Sequence, residues 1–125
     1  MTSSPEISVV IPLYNEVDNI DDLCAQLKSG LAPLGRSYEV LLVDDGSRDG
    51  TGARALALAK SDPTLRVIRL RRNFGQTAAF SAGFDHARGR IVVTSDGDLQ
   101  NDPADIGAVV AALEEGDGCE LVCGW

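Results

Sequence analysis

Five short apolar runs, separated by segments with helical periodicity, constrain this chain more than any other feature. Ile7–Leu13 is continuous, apolar and rich in β-branched residues, which fits a strand buried on both faces. Pro12 stands near its end, where a missing N–H costs little. Tyr38–Val43, Leu65–Leu70 and Arg90–Ser95 repeat the pattern, and Glu120–Cys123 reads as a last strand. Between them lie helices. Asn19–Leu34 carries Ile20, Leu23, Leu27 and Leu31 at helical spacing, acids in its first turn, and Pro33 and Gly35 near its stop. Thr51–Lys60 is an Ala/Leu helix with Asp49 as candidate cap. Gln76–Ala87 is rich in small residues and is expected to close at Gly89. Pro103–Glu115 has proline in its first turn. Leu56, Leu58, Phe80, Phe84, Val109, Val110 and Leu113 are assigned to the core.

Strands alternating with helices predict an α/β sandwich of Rossmann type, with a mainly parallel sheet covered on both faces. Right-handed crossovers leave few topologies. The favoured one winds the first three strands outward in one direction and returns the fourth to the other side of the first. That reversal is a topological switch point, and ligands bind there at the strand carboxyl ends. With no linker, repeat or low-complexity tract, residues 1–125 read as one domain or a large piece of one.

Charge and cysteines narrow the partners. A formal net charge of −8 argues against nucleic acid, whose phosphates need Lys and Arg. It permits an anionic ligand if a cation stands between. Cys24, Cys119 and Cys123 make an odd count without framework spacing, which points to a reducing, cytoplasmic compartment. In an extended segment, Cys119 and Cys123 would stand about 13 Å apart, too far for a disulfide. Met1–Glu6 has no signal-peptide character, and no apolar run reaches the ~20 residues of a membrane helix.

Polar residues collect where the switch-point rule wants them. The first strand runs into Tyr14-Asn15-Glu16, the second into Asp44-Asp45-Gly46-Ser47, the fourth into Asp96-Gly97-Asp98-Leu99-Gln100. Carboxylates sharing one crevice repel each other. Either their pKa values rise or a cation occupies the site, and oxygen ligands suit Mg²⁺ or Mn²⁺. Asp45-Gly46 and Asp96-Gly97 could be hairpin turns, but helices rather than strands follow them. An EF-hand loop from Asp96 fails, with Asn101 where Gly is required and Gly107 where a bidentate Glu is required. Neither G-x-G-x-x-G nor a P-loop is present. A phosphoacceptor receiver domain, the alternative of a different class, wants acids after its first and third strands and a lysine after its fifth. Here the acids follow the second and fourth, and the lysines are Lys28 and Lys60. Lone His86 near a helix end has a structural reading. Arg69, Arg71 and Arg72 are either a solvated strand end or, through Arg72-Asn73, a wall of the pocket.

Four segments in order resemble glycosyltransferase family 2: Val10 to Glu16, Val43 to Thr51, Arg72 to Gly75, and Asp96 to Gln100. Within it they are most similar to the polyprenyl-phosphate sugar transferases. The resemblance implies a GT-A-like fold, of which this chain is the N-terminal nucleotide-binding portion. It implies that Pro12, Tyr14 and Glu16 line the nucleoside pocket, that Asp45 bonds the nucleobase with Asp44 supporting the turn, and that Asp96 lies by the ribose and metal. It implies that Asp98 and Gln100, with Asp96, ligate Mg²⁺ or Mn²⁺, Asp96 and Asp98 being the catalytic pair. Gly97 departs from the more common Ala but leaves both carboxylates in place.

The resemblance further implies a metal-dependent, inverting transfer of sugar from a UDP- or GDP-sugar to a polyprenyl phosphate. A saccharide acceptor is the alternative within the family. The parent is expected at the cytoplasmic face of a membrane. Relatives run on past Trp125, so this chain reads as a donor-binding fragment, with cationic groups for the acceptor expected beyond Trp125. A sheet edge near Glu120–Cys123 is expected to favour homo-oligomers.

Overall fold

The computed structural model describes residues 4–94 and the backbone of Leu121–Val122. In chain order the elements are β1 (Ile7–Leu13), α1 (Ile20–Leu31), a 3₁₀ turn (Ala32–Leu34), β2 (Tyr38–Asp44), α2 (Thr51–Ser61), β3 (Leu65–Arg69), α3 (Gln76–His86), β4 (Ile91–Thr94) and β5 (Leu121–Val122). The helix expected over Pro103–Glu115 lies outside the described residues, as do Cys119 and Cys123.

The sheet has the order β3-β2-β1-β4-β5, and every pair is parallel. This is the order expected from the sequence, with the switch point between β1 and β4. Each side chain's face follows from the period of two. Ile7, Val9, Ile11 and Leu13 of β1, with Val40 and Leu42 of β2, pack against Ile20, Leu23, Leu27 and Leu31 of α1 and Ala55 of α2. The intervening Val10, Leu41 and Val43 face Ala79, with Phe80 and Ala82 of α3 against them. Both faces of β1 and β2 are therefore covered. The helical spacing of the four α1 residues makes one continuous stripe, each side chain contributing about 2 kcal/mol of burial. On the other face α3 comes close because Gly83 has no side chain, and a Cβ there would stand 2.3 Å from Val10 Cγ1.

Several boundaries and placements differ from the sequence reading. The first helix stops at Leu31 and tightens into the 3₁₀ turn, because Pro33 cannot continue the ladder and Gly35 reverses the chain at φ 65°. α3 ends at Ala87 in extended conformation rather than at a glycine cap. Gly89 instead lies against β1, donating its N–H to Ser8 Oγ at 2.7 Å. Leu56 is exposed, not core, whereas Leu58 packs against the core. Phe84 is also exposed, its ring stacked on Phe80 with centroids 6.1 Å apart. No helix among the described residues is long and apolar enough to cross a membrane.

At the amino end of the sheet sits a buried carboxylate that sequence patterning overlooks. Glu39 is paired in register with Ser8 and is only 3% exposed. Its Oε2 accepts from Ser8 Oγ at 2.6 Å and from the Arg88 amide at 2.8 Å. Its Oε1 accepts from Arg66 Nη1 at 2.8 Å and from Arg88 Nε and Nη2, each at 3.2 Å. Burial pushes the Glu39 pKa up, but Ser8, the Arg88 amide and Arg66 outweigh it and hold the carboxyl below its ordinary range. The network ties the α3–β4 connection to the sheet. A charged residue at the second position of an otherwise apolar strand was the available signal.

Candidate functional site

Leu13, Asp44 and Arg69 are paired across β1, β2 and β3, so the three following loops leave the same edge side by side. The first two loops are laced together by hydrogen bonds. Asn15 adopts φ 54°, a left-handed conformation that its short polar side chain tolerates. Its N–H donates to Ser47 Oγ at 2.8 Å, and its Oδ1 accepts from the Arg48 amide at 2.9 Å. The Glu16 amide donates to Thr51 Oγ1 at 2.9 Å, and the Val17 amide to Asp49 Oδ2 at 3.2 Å. Asp49 also takes the Thr51 amide at 3.0 Å, so it secures the start of α2 while Gly50 occupies the N-cap position. The Thr51 hydroxyl, with the Val17 and Thr51 amides, holds the Asp49 carboxyl below its ordinary range against the opposing effect of burial.

The adjacent aspartates divide the remaining work. Asp44 is buried; its Oδ1 accepts from the Ser47 amide at 3.1 Å, and Arg69 Nε stands 3.7 Å from its Oδ2. Asp45 is buried as well and clamps the third loop. Its two oxygens accept separately from the Phe74 amide at 2.8 Å and the Gly75 amide at 3.0 Å. Its own N–H donates to Leu13 O at 2.8 Å, so one residue joins all three loops. Bonds of this kind, backbone N–H to carboxylate, offset the desolvation of a buried charge. Each oxygen keeps further acceptor capacity for a ligand. Gly46 lets the second and third loops touch. Its φ is 73°, and a Cβ there would lie 2.3 Å from Arg72 C and 2.4 Å from Asn73 N.

Among the described residues, two hollows open on this edge. One, about 270 Å³, is lined by Pro12, Leu13, Tyr14, Asp45, Asn73, Gly75 and Gln76. The other, about 250 Å³, lies over β2 and β3 and has Asp44, Gly46, Ser47, Arg48 and residues 69–73 in its lining. Tyr14 and Asn73 line both, so they form the wall between them. Tyr14 is 45% exposed and Phe74 48%, with the Arg72 guanidinium 4.7 Å from the Phe74 ring centroid.

Of the residues singled out in the sequence, Pro12, Tyr14 and Asp45 meet in the first hollow and Asp44 in the second. Glu16 lines neither; its backbone carbonyl starts α1 by accepting from the Asn19 and Ile20 amides, both at 3.0 Å. Asp96, Asp98 and Gln100 lie outside the described residues. Among the described residues no group of three or more His, Cys, Asp or Glu is placed to hold a metal ion. Sequence reasoning missed Arg48, although in-register parallel neighbours necessarily bring the loop carrying it beside the Arg69–Arg72 segment. His86 lies away from this edge, at the end of α3, with Nδ1 2.9 Å from Ala82 O.

Known proteins share this fold. A mannosyltransferase from Pyrobaculum calidifontis, in complex with GDP-Man and Mn²⁺, superposes with a TM-score of 0.77 at 28% identity, covering 93% of this chain and 34% of that one. TarS 1-349 of S. aureus in complex with UDP gives 0.73 at 26%, covering 88% and 32%. The fold is thus that of the GT-A glycosyltransferases. In sequence, the dodecaprenyl-phosphate galacturonate synthase of Rhizobium johnstonii is 43% identical over 98% of this chain and 36% of its own length. The undecaprenyl-phosphate 4-deoxy-4-formamido-L-arabinose transferase of Klebsiella pneumoniae is 43% identical over 89% of this chain and 34% of its own. The chain therefore spans about a third of the length of the curated relatives it matches. The match to the family description itself runs over residues 8–125, nearly the whole chain, which belongs to glycosyl transferase family 2.

Proposed function

We propose that residues 1–125 form the nucleotide-sugar-binding portion of a transferase that moves a sugar from a nucleoside diphosphate to a polyprenyl phosphate. The observation that carries this is the hollow at the switch-point edge, where Pro12, Tyr14 and Asp45 meet. An exposed aromatic ring beside a buried carboxylate with acceptor capacity left suits a nucleobase. The likeness to proteins named as polyprenyl-phosphate sugar transferases favours the lipid acceptor.

Asp98 and Gln100, with Asp96, supply the oxygen donors for Mg²⁺ or Mn²⁺, which when bound offsets the charge of the leaving diphosphate. A structural neighbour holds Mn²⁺ with GDP-Man, which supports a divalent cation here. A phosphate monoester is already anionic at neutral pH, so it attacks without the general base that a sugar hydroxyl normally needs. Attack from the face opposite the leaving group inverts the anomeric carbon. In this reading the parent acts at the cytoplasmic face of a membrane.

Calorimetry on this chain tests the donor half. UDP or GDP is expected to bind with Mn²⁺ or Mg²⁺ present and to lose that binding in Asp98→Asn; equal binding in EDTA would overturn the metal assignment. The acceptor half is tested on the full-length parent with a radiolabelled nucleotide sugar. Label moving into oligosaccharides and not into undecaprenyl phosphate would overturn it.

A further inference from the structure

The second hollow, over β2 and β3, has a charge pattern that donor binding leaves unexplained. Four of the chain's eleven lysines and arginines, Arg48, Arg69, Arg71 and Arg72, line it. Asp44 is its one lining carboxylate, and that group already accepts from the Ser47 amide while facing Arg69. Among the described residues no carboxylate pairs with Arg48, Arg71 or Arg72. On a chain with net charge −8, four arginines thus line one concavity against a single carboxylate.

We infer that this hollow is a binding site for a phosphoryl-bearing anion, separate from the donor pocket and independent of metal. Planar guanidinium forks match the oxygens of a phosphate. At about 250 Å³ the hollow holds several times the ~30 Å³ share of one water, room for a phosphoryl or diphosphoryl group. The Arg72 head is held over the Phe74 ring rather than left free in solvent. Arg69 is held near Asp44. The loop of Arg48 is fixed by the hydrogen bond its backbone N–H donates to Asn15 Oδ1. The site is thus assembled by the same lacing that builds the donor pocket, and Tyr14 separates the two. The phosphate could belong to a soluble ester or to a lipid headgroup, and one experiment distinguishes them.

The 125-residue chain is titrated with pyrophosphate in EDTA by calorimetry, and in parallel sedimented with phosphatidylglycerol or phosphatidylcholine vesicles. Arg48→Gln and Arg71→Gln are compared with wild type. Both side chains are exposed, so these variants keep the fold. Lys60→Gln is the remote charge control, and Asp98→Asn separates this site from the donor reading. Binding is expected in wild type, Lys60→Gln and Asp98→Asn alike, and about tenfold weaker in each arginine variant. Arginine-dependent binding of pyrophosphate assigns a soluble ester. Arginine-dependent capture by phosphatidylglycerol vesicles alone assigns a lipid headgroup. No binding in either arm, or binding that survives both arginine substitutions or falls equally in Lys60→Gln, would overturn the site.

Discussion

Replacing Asp45 with asparagine tests whether one carboxylate joins the loops that make the site. In the native chain each Asp45 oxygen accepts one backbone N–H, from Phe74 and from Gly75. Asparagine keeps one acceptor oxygen and turns an NH₂ group toward the second amide. One charge-assisted bond is lost, the other loses its charge, and a buried N–H is left facing a donor. Together these cost about 2–3 kcal/mol, a large share of the roughly 5–15 kcal/mol that holds a domain folded. Urea unfolding followed by far-UV circular dichroism should show the loss. With a slope of about 1–3 kcal/mol per molar, the midpoint falls by roughly 1–2 M. Amide hydrogen exchange localises it, since protection should drop first at Phe74 and Gly75 and be retained in β1 and β2. Asp45→Ala, which removes both acceptors, should cost more than Asp45→Asn. Stability within about 0.5 kcal/mol of the parent, with unchanged exchange at both amides, would refute the clamp.

Two more substitutions probe the frame. Glu39→Gln removes the charge between Arg66 and Arg88 and should cost about 3 kcal/mol in urea unfolding, with the proposed nucleotide affinity of the folded protein unchanged, because Glu39 is at the far end of β2. The same carboxyl has a pKa lowered by folding, so its contribution is present above the unfolded value of about 4.3. It is lost as pH falls through the folded value, because the unfolded chain binds more protons in that window; Glu39→Gln should flatten that part of the acid-unfolding curve. Gly46→Ala forces an L side chain to φ 73° and its Cβ into the backbone of Arg72 and Asn73, and should cost about 2–4 kcal/mol by thermal or urea unfolding.

Among the described residues, the element types and strand order were legible because they depend on local periodicity and chain connectivity. Ile7–Leu13 could be read as doubly buried from its unbroken apolar run, and Ile20, Leu23, Leu27 and Leu31 from helical spacing. Parallel crossovers of fixed hand then leave few ways to order the strands. That reasoning also located the edge where Tyr14, Asp44 and Asp45 emerge. It failed at Leu56 and Phe84, where apolar character alone suggested core and the helix rotation against the sheet left both exposed.

What only the tertiary structure decided is which polar groups meet. Glu39 finds Ser8, Arg66 and Arg88 across distances of 27 to 49 residues. Asp45 reaches amides 29 and 30 residues away, and Arg48 joins Arg69, Arg71 and Arg72 in one hollow. Periodicity reports how a residue is placed on its own strand or helix. A hydrogen bond or a charge cluster depends on the register between strands and on loop conformations such as φ 54° at Asn15 and φ 73° at Gly46. Those are settled only when the packed sheet brings distant segments to within about 3 Å of one another.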